Sequence, residues 1–198
     1  MLKIGITGGI GSGKTTVCRI FESLGIPVFY ADTVAKKIMV TDPILIQGVK
    51  DTFGEESYTP EGVLNNKHIA GIVFHQPEEL EKLNQLVHPA VFRAFDKWVA
   101  AISPQAPYIL KEAALLFESG SYQMCDHNVL VIAPLETRLQ RVMQRDQVTE
   151  EQVRARMDKQ LSDEEKAKMA DMLIHNNETD SLIIQVMALH HQFLNTKP

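Results

Sequence analysis

Leu2, Ile4 and Ile6 alternate with Lys3 and Gly5 ahead of Thr7, the period of a short strand. A glycine-rich turn follows. From about Thr15 to Leu24 the apolar positions Val17, Ile20, Phe21 and Leu24 fall at helical spacing, and Gly25 is placed to end the helix. Ile26 to Tyr30 reads as a second strand ending at Ala31-Asp32. Strand, helix and strand predict a βαβ unit, and with it a parallel sheet covered by helices.

From Thr33 to about Ile102 the pattern is helical, broken at Asp42-Pro43, Gly54, Thr59-Pro60 and Pro77, with no convincing strand. That stretch is too long for a simple crossover and reads as a helical insertion. Strands resume at Tyr108–Leu110 and Val129–Ile132, then a basic helix runs from Leu135 to Arg145. The segment from Asp146 to Lys168 is polar and dense in charge, and Met172–Ile174 is the expected last strand. A final helix from Ser181 to Leu194 carries Leu182, Ile183, Val186, Leu189 and Phe193 on one face.

Composition narrows the classes of function. The 198 residues are 44% hydrophobic and 23% charged, with no repeats or low-complexity tracts, which excludes disorder and a disulfide scaffold. A net charge of −5 argues against a broad nucleic-acid or membrane surface. No apolar run is long enough to span a bilayer, and Met1–Gly5 does not read as a secretory signal. The two cysteines, Cys18 and Cys125, form no CxxC pair, and a cytoplasmic location is expected. The histidines lack metal-ligand spacing, and Cys18, Met169, Met172 and Met187 read as packing residues.

Five of the eleven glycines fall within residues 5–13, and Gly8 to Thr15 satisfies G-x-x-x-x-G-K-[ST] between a predicted strand and a predicted helix. Phosphate binding requires these residue types. Glycines admit positive φ and bring backbone N–H groups against phosphate oxygens, and the following helix adds its positive end. Lys14 has the reach for the β- and γ-phosphates, and the Thr15 hydroxyl is an oxygen ligand for Mg²⁺. A GTPase would carry N-K-x-D, which this chain lacks; a motor ATPase needs more chain and a clear Walker B strand. A small kinase acting on a small-molecule hydroxyl remains.

Asp32 falls at the rim where open α/β sheets bind ligands, as a base for an acceptor hydroxyl or as the N-cap of the helix predicted from Thr33. Arg138, Arg141 and Arg145 share one helix face, followed by Arg154 and Arg156; they suit a phosphate-clamping lid or a solvated surface.

Taken together the motifs resemble dephospho-CoA kinases. The resemblance rests on Thr7–Thr15, Ala31-Asp32, Phe53-Gly54, Gly62-Val63-Leu64, the helix from Leu83 into His88-Pro89, Leu115–Glu118, Arg141 and Arg145 with Gln160 downstream, and Ala170–Asn177. The elements run the length of the chain in family order. The chain departs from the family pattern at four places: Tyr30 for an aspartate, Asn65-Asn66-Lys67 where an arginine is usual, Ala114 for proline, and Arg138 for glutamine.

The resemblance implies one P-loop kinase domain over 1–198, with a core of about 1–32, 103–137 and 169–198, an acceptor-binding helical insertion of about 33–102 and a lid of about 138–168. It implies transfer of the γ-phosphoryl of ATP to the ribose 3′-hydroxyl of dephospho-CoA, with Mg²⁺. Asp32, Lys14 and Arg141 would be catalytic. Gly9, Gly11, Ser12, Gly13, Lys14, Thr15, Thr16, Arg145 and Asn177 would bind ATP, and Asp32, Lys67 and His88 the acceptor, with Thr15 on the metal. Two alternatives stay open: a P-loop kinase for nucleosides, nucleoside monophosphates or shikimate, and an ATP-binding protein with no acceptor.

Overall fold

The computed structural model describes residues 1–74 and 76–196. Its elements, in chain order, are β1 (Leu2–Thr7), α1 (Lys14–Ser23), β2 (Val28–Tyr30), α2 (Ala31–Ile38), α3 (Pro43–Phe53), α4 (Asn66–Val73), α5 (Pro77–Ala101), β3 (Tyr108–Glu112), β4 (His127–Ile132), α6 (Leu135–Asp146), α7 (Glu150–Met157), α8 (Asp163–Met169), β5 (Met172–His175) and α9 (Leu182–Asn195). The chain divides into two compact units, Met1–Tyr30 with Ile102–Pro198, and Ala31–Ala101.

The first unit is a five-stranded sheet in the order β2-β3-β1-β4-β5, with every pairing parallel. Parallel strands are covered on both faces, which is why β1 and β4 are nearly continuous in buried apolar residues. The register lines up the carboxyl ends: Ile6 and Tyr30 both pair with Glu112, Thr7 with Leu130, and Ile132 with His175. The core joins Ile4, Ile6, Val129 and Val131 of the sheet to Val17 and Phe21 of α1 and Val186 and Phe193 of α9. Tyr108 sits among them edge-on to Phe21 and Phe193, and its hydroxyl reaches His190 Nδ1 at 2.6 Å.

The second unit is helical. Asp42 caps α3, accepting from the Ile44 and Leu45 N–H groups, and Gly54 ends it. Asn65 caps α4, and Tyr58, ahead of α4, donates to the carbonyl of Met39, just past α2, at 2.7 Å through a buried bond.

Several boundaries move from expectation. β2 is shorter, because Pro27 offers only a carbonyl, to Leu110 N. The next helix begins at Ala31, so Asp32 is neither the end of a strand nor an N-cap; it is the second residue of α2. β3 runs on through Lys111 and Glu112, both buried. The polar stretch after Asp146 holds two short helices, each opened by a capping box, Thr149 with Gln152 and Ser162 with Glu165. Ile183 lies off the buried face of α9 and is exposed.

Phe21→Ala should lower the unfolding free energy by about 3–5 kcal/mol, since the cavity it leaves is lined by Tyr108 and strand residues that cannot collapse onto it. Urea denaturation checks this; a loss under 1 kcal/mol contradicts that packing.

Candidate active site

The loop after β1 is built from backbone. Gly13 stands at the N-cap of α1 with φ 97°, and a Cβ there would run into Asn176 Nδ2. Only glycine fits both conditions. Among the described residues no side chain caps this helix end, and its first turn carries no acid. The positive end of α1 is therefore left to whatever anion the loop holds.

Side chains from distant elements hold the loop from outside. Asn176, just past β5, donates to the Ser12 carbonyl at 2.7 Å. Gln160 accepts from Ile10 N at 2.9 Å, and Arg138 donates to the Ile10 carbonyl at 2.9 Å. Lys14 is buried and reaches back across the loop to the Gly8 carbonyl at 2.9 Å. Thr15 and Thr16 are exposed on the first turn of α1.

Two polar atoms here are buried without a hydrogen-bond partner among the described residues, Ser12 Oγ and Arg141 Nη1. Arg141 Nη1 lies 3.9 Å from where a Gly13 Cβ would stand, so this cation of α6 faces the loop. A buried donor without an acceptor is costly, and a phosphate at the loop satisfies it. The site thus fits a polyphosphate on its own geometry.

Not every arginine of that face turns the same way. Arg145 is exposed and donates through Nε to Asp146 Oδ1 at 2.7 Å, and Arg156 reaches the same carboxylate at 2.8 Å. Those guanidinium groups, Arg145 first, hold the Asp146 carboxyl down at about 2. Arg138 is nearly buried and pairs with Asp163 Oδ2 at 2.7 Å.

Asn177 turns its side chain to Asp180 at 2.8 Å and lines a cavity of about 410 Å³ with Ile132, Ala133, Pro134, Asp163, Ala167 and His175. That volume is in the range of small-molecule sites. Glu112, the last residue of β3, is a buried carboxylate at the carboxyl edge of the sheet. Burial first, and then the Glu112 charge, push the Cys18 thiol up, so it stays protonated and inert.

In the second unit, Asp32 is exposed in the first turn of α2, and Lys67 is exposed in the first turn of α4. His88 is half-buried on α5, stacked on Phe92 with ring centroids 6.5 Å apart. Sequence reasoning missed the clamping of the loop by Arg138, Gln160 and Asn176; their separation from it, by 128 to 164 positions, leaves no local signal.

The sequence profile of the dephospho-CoA kinase family matches residues 2–181. The chain belongs to this family. The family carries out the last step of coenzyme A biosynthesis, and as kinases its members use ATP as co-substrate. A dephospho-CoA kinase of Chlorobium chlorochromatii is 41% identical over 199 residues, covering 98% of this chain and 94% of the relative. A crystal structure of a Thermus thermophilus protein superposes with a TM-score of 0.82 at 35% identity, over 100% of this chain and 98% of that one. The dephospho-CoA kinase from Campylobacter jejuni gives 0.67 at 28% identity, over 96% and 95%. Among the described residues, no helix is long and apolar enough to cross a membrane.

Burial pulls the His88 imidazole below its usual 6.5, against the smaller upward pull of Glu81. The fold therefore favours the neutral ring. Its contribution to stability is full above the unfolded value and is lost as pH falls below it. An NMR titration of the His88 ring should give a midpoint under 6.5; a midpoint above it would contradict this environment.

Proposed function

We propose that this dephospho-CoA kinase moves the γ-phosphoryl of ATP to the ribose 3′-hydroxyl of dephospho-CoA through the loop at Gly8–Thr15, with Asp32 as general base. The observation that carries the reading is the pair of buried polar atoms, Ser12 Oγ and Arg141 Nη1, left unsatisfied by the described residues beside a helix end that none of their side chains caps. The family assignment favours dephospho-CoA over a nucleoside or shikimate acceptor, and a kinase reading over a mere ATP binder.

The Asp32 carboxylate takes the 3′-hydroxyl proton as that oxygen bonds to the γ-phosphorus and the bond to the β–γ bridging oxygen breaks, leaving ADP. Gly9, Gly11 and Gly13 present N–H groups, Ser12 brings its unsatisfied hydroxyl, and Thr16 lies in the first turn behind them. Lys14 and Arg141 balance charge that spreads onto the phosphoryl oxygens in the transition state. Arg145 belongs to the ATP side of the lid at about 138–168 and exchanges its Asp146 pair for phosphate. Asn177 lines the cavity suited to the adenine.

Magnesium, when bound, would neutralise phosphate charge, and the oxygen donor this chain would bring to it is the exposed Thr15 hydroxyl, a hard ligand suited to that cation. Lys67 and His88 bind the acceptor within the helical insertion of about 33–102, Lys67 as a point charge. The two unpaired cysteines fit a cytoplasmic setting.

The test is ADP release with and without dephospho-CoA, with the product weighed by mass spectrometry. Acceptor-dependent turnover to coenzyme A is expected, and turnover indifferent to the acceptor would refute the reading. Asp32→Asn should bind ATP normally yet lose about 10²–10⁴ in kcat; unchanged turnover removes Asp32 from the base role. Arg141→Ala should lower kcat about 10²-fold. A rise in the KM for dephospho-CoA with kcat intact would take Arg141 off the transferring phosphoryl.

A further inference from the structure

Arg138 is a nearly buried cation on α6, and its guanidinium serves two acceptors at once. Nε donates to the Ile10 carbonyl at 2.9 Å and Nη1 to Asp163 Oδ2 on α8 at 2.7 Å. On the other side of the same residue, Ile10 N–H donates to Gln160 Oε1 at 2.9 Å. The two contacts on Ile10 belong to consecutive peptide planes.

The Gly9–Ile10 plane carries the bond to Gln160 and also the Gly9 carbonyl, which accepts from Ser12 N at 3.1 Å. The Ile10–Gly11 plane carries the carbonyl held by Arg138 and, on its opposite edge, the Gly11 N–H. In a trans peptide those two groups point in opposite directions and turn together. Holding the Ile10 carbonyl on Arg138 therefore fixes the Gly11 N–H facing away from the guanidinium. The packing is close: a Cβ on Gly9 would meet Arg138 Nη2, and one on Gly11 would stand 2.6 Å from the Arg138 carbonyl.

We infer that Arg138 is a positioning residue for the phosphate loop, setting the Ile10–Gly11 peptide and, through Asp163, tying that setting to α8. The inference rests on the reading of this loop as the ATP phosphate site. The carboxylate of Asp163 offsets the charge of Arg138, so the side chain orients backbone donors rather than adding net attraction. Its planar fork is what lets one side chain hold both acceptors; a glutamine at this position has a single amide donor group. Arg138 thus governs affinity for the phosphates, leaving that for the base and for the acceptor unaffected.

Calorimetry of ADP and AMP binding to the full chain, with steady-state kinetics and thermal unfolding alongside, tests this. Arg138→Met should weaken ADP roughly tenfold or more, leave AMP within about twofold, and lower kcat without moving the KM for dephospho-CoA. Arg138→Gln should recover most of the ADP affinity through its one amide donor to Ile10. Asp163→Asn, with Arg138 still present, should weaken ADP about threefold or more, and AMP by less, since Asp163 also lines the cavity beside Asn177.

A folded Arg138→Met that binds ADP as the parent does overturns the inference. So does an equal loss for ADP and AMP together with a lower unfolding temperature, which makes Arg138 a structural residue only. Should Arg138→Met not fold, Asp163→Asn decides, and unchanged ADP affinity there overturns it. A parent protein that binds ADP no better than AMP overturns the phosphate-loop reading itself, and the inference falls with it for a separate cause.

Discussion

Backbone N–H groups hold a polyanion only where no side chain stands between them and it, and the carboxyl end of this sheet is organised around that constraint. Residues 8–13 turn from β1 into α1 almost without side chains. A loop so bare has little of its own with which to hold its shape. Its outward polar groups are met instead from elsewhere in the chain, Ile10 N by Gln160, the Ile10 carbonyl by Arg138 and the Ser12 carbonyl by Asn176. Each of these side chains fixes the direction of one peptide group of the loop.

The segment after α6 is fixed by buried ion pairs and hydrogen bonds as well as by apolar burial. Lys166 is fully buried and bonds to Glu118 Oε1 at 3.0 Å, and the same oxygen accepts from Leu161 N at 2.9 Å. Gln160 reaches the Ala114 carbonyl as well as the loop. A small apolar cluster, with Leu139, Val142 and Val153 at its centre and Ile10 against it, completes the contact. Buried ion pairs contribute little net stability, because desolvation offsets their attraction; what they do supply is one geometry, since a slipped register would strand a buried charge. That suits a segment whose residues must meet particular peptide groups.

Much of this could be read from the residues in order. The βαβ start, the phosphate loop, the helical stretch broken at Asp42-Pro43, Gly54 and Pro77, and the closing helix are local features, set by periodicity and by residues with restricted backbones. The misses have local causes too. Pro27 shortened β2, α2 began early enough to carry Asp32 within its first turn, and the capping boxes at Thr149 and Ser162 marked two helices too short and polar to show an apolar stripe.

By itself, then, the sequence determined the parallel α/β sheet, the site of the loop and the residue types offered to a phosphate, because each depends on neighbours within a few positions. Only the tertiary structure decided which arginine does what. Arg138, Arg141 and Arg145 look equivalent on one helix face. In the fold, the first is buried against Ile10 and Asp163, the second faces Gly13 with Nη1 unsatisfied, and the third is exposed on Asp146. A helix stripe specifies direction around one axis. What stands in that direction for Arg138 and Arg141 is a loop more than a hundred residues away, and no spacing along the sequence encodes its arrival.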